Sequence, residues 1–159
     1  MESRKGKAVR LFKEGYNCSQ SVFAAYADLY HIDEATALKL SSSFGAGMGR
    51  MRQVCGAVSG MFLVAGLETG FTEGKDAEGK KHNYDVVQQL AQEYRDINGS
   101  IICSELLGLS GRAPAEKKDF GDTVPEARTK EYYKKRPCVQ LVEDAACIIE
   151  RVLLKDKDI

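Results

Sequence analysis

Apolar positions recur at helical spacing along almost the whole chain, and nowhere do they alternate for long enough to make a strand. Ala8, Leu11 and Phe12 share one face of a short amphipathic segment over 4–14. In "GYNCSQSVFAAYADLY" Asn17 is a good helix cap and Gln20 follows three residues later, as in a capping box. Val22, Phe23, Tyr26 and Leu29 then recur in phase. Asp33 opens a third helix in "DEATALKLSSSF". The next stretch, "GAGMG" at 45–49, reads as a loop, because three glycines in five residues disfavour a regular element.

A central apolar helix is predicted from about 53 to 68, ending near Gly70, followed by a polar loop in "EGKDAEGKK". Val87, Leu90, Ala91 and Tyr94 define an amphipathic helix from Tyr84 to Asp96. Ser100 caps a short helix through Leu107, closed by Gly108. Residues 109–136 are polar and predict one irregular helical piece around 126–135. The last helix starts at Pro137, a favoured first-turn residue, and carries Leu141, Val142, Ala145, Ile149, Val152 and Leu153. The expectation is one domain over 1–159, an all-α bundle of five to seven helices.

A length of 159 residues suits one core, and 43% hydrophobic with 29% charged residues fits a soluble globular chain. Lys+Arg and Asp+Glu are both 23, a balance that argues against nucleic acid or an anionic membrane surface as partner. The run "YYKKRP" at 132–137 reads as a solvated helix edge, and His31 and His82 read as exposed residues without metal-ligand spacing. The first eleven residues have no signal-peptide pattern. The longest mostly apolar run, Val54 to Leu67, has 14 residues, short of the roughly 20 that span a bilayer. A cytoplasmic location is expected, and there cysteines are more often catalytic, redox-active or metal-binding than disulfide-bonded.

Those cysteines are Cys18, Cys55, Cys103, Cys138 and Cys147. The first four share an address. Cys18 follows Asn17, Cys55 follows the glycine stretch, Cys103 follows "NGS", and Cys138 follows Pro137, each near a helix N-terminus. Unpaired N–H groups and the helix dipole favour an anion there, and a thiol so placed can fall from about 8.5 towards 3.5–7.5. Cys18 or Cys55 is the expected attacking thiolate. Gly56 and Gly60 clear space beside Cys55 for another backbone or for a cluster, so they are the candidate cofactor-binding positions. With Gly66 and Gly70 they also suit close packing within the domain or a homodimer contact. Arg50 and Arg52 are either solvent-facing or positioned to stabilise a thiolate or an anionic ligand. Cys147 lies nine residues past Cys138, on the opposite side of the last helix, and reads as a packing residue.

Spacing by itself is uninformative about the chemistry. There is no C-x-x-C, no zinc-ribbon pairing and no C-x-x-C-H, and "GAGMG" lacks the G-K-[ST] of a phosphate loop. In combination, however, "GYNCSQSVFAAYA" at 15–27, "SSSFGAGMGRMRQVCGAVSG" at 41–60, "CSELLG" at 103–108 and "CVQLVEDAACIIERVL" at 138–153 are specific. The chain resembles the C_GCAxxG_C_C family of redox-active proteins. Its central element reads C-G-A-x-x-G, with Cys55 one residue earlier than the family name spells it. The resemblance implies that Cys18, Cys55, Cys103 and Cys138 are the four family cysteines, that Cys147 is an extra, and that the fold is mainly helical.

Three readings of the four thiols stay open. They can hold an iron–sulfur cluster or another metal and pass electrons to a partner oxidoreductase. They can cycle between dithiol and disulfide without metal. Or the site is structural zinc, or the chain a plain helical interaction module.

Overall fold

The computed structural model describes residues 1–108 and 122–159, and the expectation for 109–121 lies outside them. Eight α-helices are present among the described residues: α1 (Arg4–Lys13), α2 (Cys18–Ala24), α3 (Glu34–Ser41), α4 (Gly56–Thr69), α5 (Ala77–Asn98), α6 (Cys103–Leu106), α7 (Lys130–Lys135) and α8 (Cys138–Ile148). The all-α expectation holds. Its count of five to seven becomes eight, six of them seven residues or longer, and α6 and α7 are the two short pieces that the sequence also set apart. A 3₁₀ turn at Ala27–Tyr30 follows α2, and α8 runs on as a π turn over Ile149–Leu153. Among the described residues the only β pairing is an isolated antiparallel bridge between Val54 and Ile102.

Local side-chain chemistry sets most helix starts. Asn17 and Gln20 form a complete capping box, Asp33 accepts from the Thr36 N–H at 3.0 Å, and Thr129 caps α7. Asp76 accepts from the Gly79 N–H at 2.8 Å, so α5 starts seven positions before Tyr84. The loop expected in "EGKDAEGKK" is therefore helical in its second half. A polar first turn with a good cap outweighs the glycine in it.

The core is built round α4. Its buried face, with Ala57, Val58, Met61, Val64 and Ala65, meets Val22 of α2, Leu90 and Tyr94 of α5, and Leu141, Val142 and Ala145 of α8. Each such Val or Leu buried contributes about 1.5–3 kcal/mol. The α2–α4 crossing is unusually close. A Cβ on Gly60 would sit 2.9 Å from the Ser19 carbonyl oxygen and 3.0 Å from Val22 Cβ, and one on Gly56 would sit 3.1 Å from Cys18 Cβ. The glycines thus admit another backbone, the first of the two options read from the sequence.

Candidate functional site

The stretch expected to be a simple loop is a tight turn of the wrong hand. Ala46, Gly47, Met48, Gly49 and Arg50 all have positive φ, from 55° to 72°, and Arg52 follows at 61°. The Gly49 N–H closes the turn on the Gly45 carbonyl at 3.0 Å. For L-residues this costs about 1–2 kcal/mol each, so the surroundings must hold it. They do. Gly47 sits so close to Arg52 and Cys103 that an added Cβ would lie 2.6 Å from Arg52 Cα and 2.7 Å from Cys103 Cβ. The chain then pairs with the segment before α6: Cys103 N–H donates to the Gln53 carbonyl at 2.6 Å and Cys55 N–H to the Ile101 carbonyl at 2.8 Å. Two distant cysteines are thereby fixed to one short piece of ladder.

Each of the four sequence-predicted cysteines stands at a helix start. Cys18, Cys103 and Cys138 are the first residues of α2, α6 and α8, and Cys55 is the N-cap of α4 with extended backbone. All four line one cavity of about 270 Å³. Gly56 also lines it, whereas Gly60 lies one turn deeper against α2. Cys147 is elsewhere, half-buried on α8 among Lys5, Glu143 and Glu150.

The shared address does not give a shared acidity. Burial pushes the Cys55 thiol up, against the opposing hydrogen bond with the Tyr94 hydroxyl at 3.5 Å and the Val58 and Ala57 N–H groups. Burial also raises Cys103, although the Arg52 Nη1 donates towards its sulfur at 3.7 Å. Here desolvation of the charged form exceeds what the helix start offers. Cys18 and Cys138 shift in opposite directions: Cys138 is lowered to about 7 and Cys18 is raised. The largest cause for Cys138 is hydrogen bonding from Cys18, followed on the lowering side by Tyr132, Arg136 and Arg128. Cys18 and Cys55, the expected attacking thiols, are both raised, whereas Cys138 has a thiol, a phenol and two guanidinium groups around it.

Charge collects at the same cavity. Arg50, Arg52, Arg128 and Arg136 line it, against a single carboxylate, Glu126, among the described residues. Arg128 is clamped, donating to the Phe12 carbonyl at 2.8 Å and the Tyr16 carbonyl at 3.1 Å with its guanidinium 4.1 Å above the Phe12 ring. Arg136 pairs with Glu126. Arg50 donates to the Asp122 carbonyl at 3.0 Å. Arg50 and Arg52 both line the cavity, and Arg52 reaches the Cys103 sulfur. The "YYKKRP" run is corrected in part: Lys134 and Lys135 are exposed, but Tyr132 and Arg136 are half-buried and line the cavity. Arg128, Tyr94 and Tyr132 carried no sequence signal, since each lies in a helix or polar stretch where an aromatic or a cation is ordinary.

Although four sulfurs line one cavity, no three Cys, His, Asp or Glu side chains among the described residues are gathered so as to hold a metal ion. Cys55 and Cys103 are turned to Tyr94 and Arg52 instead.

Comparison with known proteins adds one decisive match. A family model described as "Putative redox-active protein (C_GCAxxG_C_C)" aligns with residues 16–152. The chain belongs to this family. No curated protein and no solved structure matches it. The matched region of this C_GCAxxG_C_C protein takes in all four cavity cysteines, the left-handed turn and the four arginines. No helix among the described residues is long and apolar enough to cross a membrane.

Proposed function

We propose that this protein is a dithiol–disulfide redox protein in which Cys138 and Cys18 form the working pair. The observation that carries the reading is that these two cysteines, the first residues of α2 and α8, line one cavity, with Cys138 favoured as the thiolate by its surroundings. A thiolate that coexists with a neighbouring thiol is the arrangement needed for exchange.

The steps follow from the pair. The Cys138 thiolate attacks one sulfur of a disulfide RSSR, forming a mixed disulfide, and RS⁻ leaves to take a proton from water. The charge next to Cys18 is then gone, and with it the largest cause of its raised pKa. Cys18 releases its proton to solvent and attacks the Cys138 sulfur. A Cys18–Cys138 disulfide forms as the second RS⁻ departs, so RSSR gains two electrons and the protein loses two. A dithiol reductant, supplied by a partner oxidoreductase in a reducing cytoplasm, restores the pair by attacking Cys18, which is only half-buried, so that the Cys138 thiolate leaves. Cys55 and Cys103 flank this exchange, and Tyr132 and Arg136 stabilise the charge on Cys138.

The test is a thiol count with linkage mapping on full-length protein. Mild oxidation is expected to remove two of the five thiols and to leave a peptide pair joining positions 18 and 138. A count that does not fall, or a link between other positions, overturns the reading. Stoichiometric iron or zinc in protein purified without oxygen would replace the disulfide reading with a thiolate-bound cluster or metal.

A further inference from the structure

We infer that the substrate of this site is a small anionic disulfide, carrying carboxylate or similar charge, rather than the disulfide of another protein. The inference rests on the dithiol–disulfide reading above and adds the substrate class. Two independent observations carry it.

The first is access. Cys55, Cys103 and Cys138 expose only 3%, 6% and 7% of their surface, and they reach solvent through a cavity of about 270 Å³. Attack on a disulfide needs the three sulfurs close to a line, so the substrate sulfur must come inside. A folded protein presents its disulfide on a broad surface and cannot do so, whereas a molecule of a few carbon atoms per arm can.

The second is charge. Four guanidinium groups face one carboxylate at this cavity among the described residues, in a chain whose net charge is zero. Arg136 is engaged by Glu126, and Arg128 gives its hydrogen bonds to neutral carbonyls, which leaves its charge uncompensated by them. Arg50 and Arg52 both come from the left-handed turn and its exit, and both line the cavity. A cavity with low-dielectric walls and one sign of charge concentrates ligands of the other sign. The apolar lining, with Phe12, Leu106, Leu107 and Leu141, suits the short carbon arms between charge and sulfur.

The overall step is two thiols plus RSSR giving the Cys18–Cys138 disulfide plus two RSH. Reduced full-length protein is mixed with 3,3′-dithiodipropionate (dianionic), 2-hydroxyethyl disulfide (neutral), cystamine (dicationic) and insulin. Thiol loss is timed, and each rate is divided by that of a free reference thiol with the same disulfide, which removes intrinsic reactivity. The dianion is expected to exceed the dication by about tenfold or more, with the gap closing as salt is added, and insulin is expected to be slowest. Arg50→Gln is expected to lower the dianion rate more than the neutral rate. Equal normalised rates, a preference for cystamine, or fastest reaction with insulin would overturn the substrate class and leave the redox pair standing. Failure of every disulfide to join positions 18 and 138 would overturn both. The wild-type series and its salt dependence decide the matter even where Arg50→Gln does not fold.

Discussion

The Tyr94 hydroxyl lies 3.5 Å from the Cys55 sulfur, in the buried middle of the molecule where α5 crosses the start of α4. Burial raises both groups, Tyr94 most strongly, so they meet as neutral partners. Cys55 is therefore a poor nucleophile. In a time course of alkylation read by peptide mass, Cys55 is expected to be among the last of the five cysteines to react. Tyr94→Phe is expected to cost about 1 kcal/mol of stability in urea unfolding, the size of one lost hydrogen bond. A fast-reacting Cys55 in the unaltered protein would contradict the arrangement.

Cys138 should behave in the opposite way. Its pKa is lowered to about 7, so it is protonated and slow below that pH and ionised above it. The rate of Cys138 alkylation by iodoacetamide is expected to rise with pH through a midpoint near 7. Cys18→Ala removes the largest stabilising contact, and the midpoint is expected to move up, towards the ordinary value of about 8.5. Cys147→Ser should leave the profile where it is, since Cys147 lies outside the cavity.

Glycines within α4 give a controlled comparison of packing against propensity. Gly60→Ala drives a methyl to 2.9 Å from the Ser19 carbonyl oxygen, whereas Gly66 has open space at the same position of its backbone. Gly60→Ala is expected to destabilise by about 1–3 kcal/mol through overpacking. Gly66→Ala is expected to stabilise by about 0.5–1 kcal/mol, since alanine loses less backbone freedom in a helix. Equal midpoints in thermal unfolding for the two variants would mean that α2 and α4 do not cross as described.

The left-handed turn makes a similar pair of predictions. Gly47→Ala meets both a positive φ of 72° and two backbone or Cβ atoms within 2.7 Å. It is expected to cost more than Gly60→Ala and to change the alkylation rate of Cys103, which its methyl would touch. Ala46→Gly relaxes a residue at φ 55° and is expected to be neutral or to stabilise by about 1 kcal/mol. Calorimetry on the two variants, with Cys103 labelling alongside, checks both.

Much of this was legible in the sequence, and the pattern of success has a physical basis. Asn17 with Gln20, Asp33 and Pro137 mark helix starts through local chemistry, so the address of Cys18 and Cys138 could be read without any tertiary information. The gathering of four cysteines from four helices was suggested by that common address and by the family resemblance. What the sequence could not give is what depends on contacts between distant segments. The hand of the 46–50 turn is enforced by Arg52 and Cys103, not by its own residues, three of which would each choose a right-handed form alone. The acidity of Cys138 comes from Cys18, Tyr132, Arg136 and Arg128, so a rule about helix N-termini could not single it out. Arg128 is a cavity residue only because Phe12 and Tyr16, at the other end of the chain, hold it there.

Cys18 and Cys138 stand near opposite ends of the chain, on the first residues of α2 and α8. Joining them would tie off a loop of more than 100 residues, which in the chain-entropy account removes about 4–5 kcal/mol of freedom from the unfolded state. Oxidation would then do to this bundle what a clasp does to a necklace: whoever draws electrons from the pair also lengthens the lifetime of the molecule. Turnover by proteases in a cell would follow its redox history, with the reduced form the more perishable of the two.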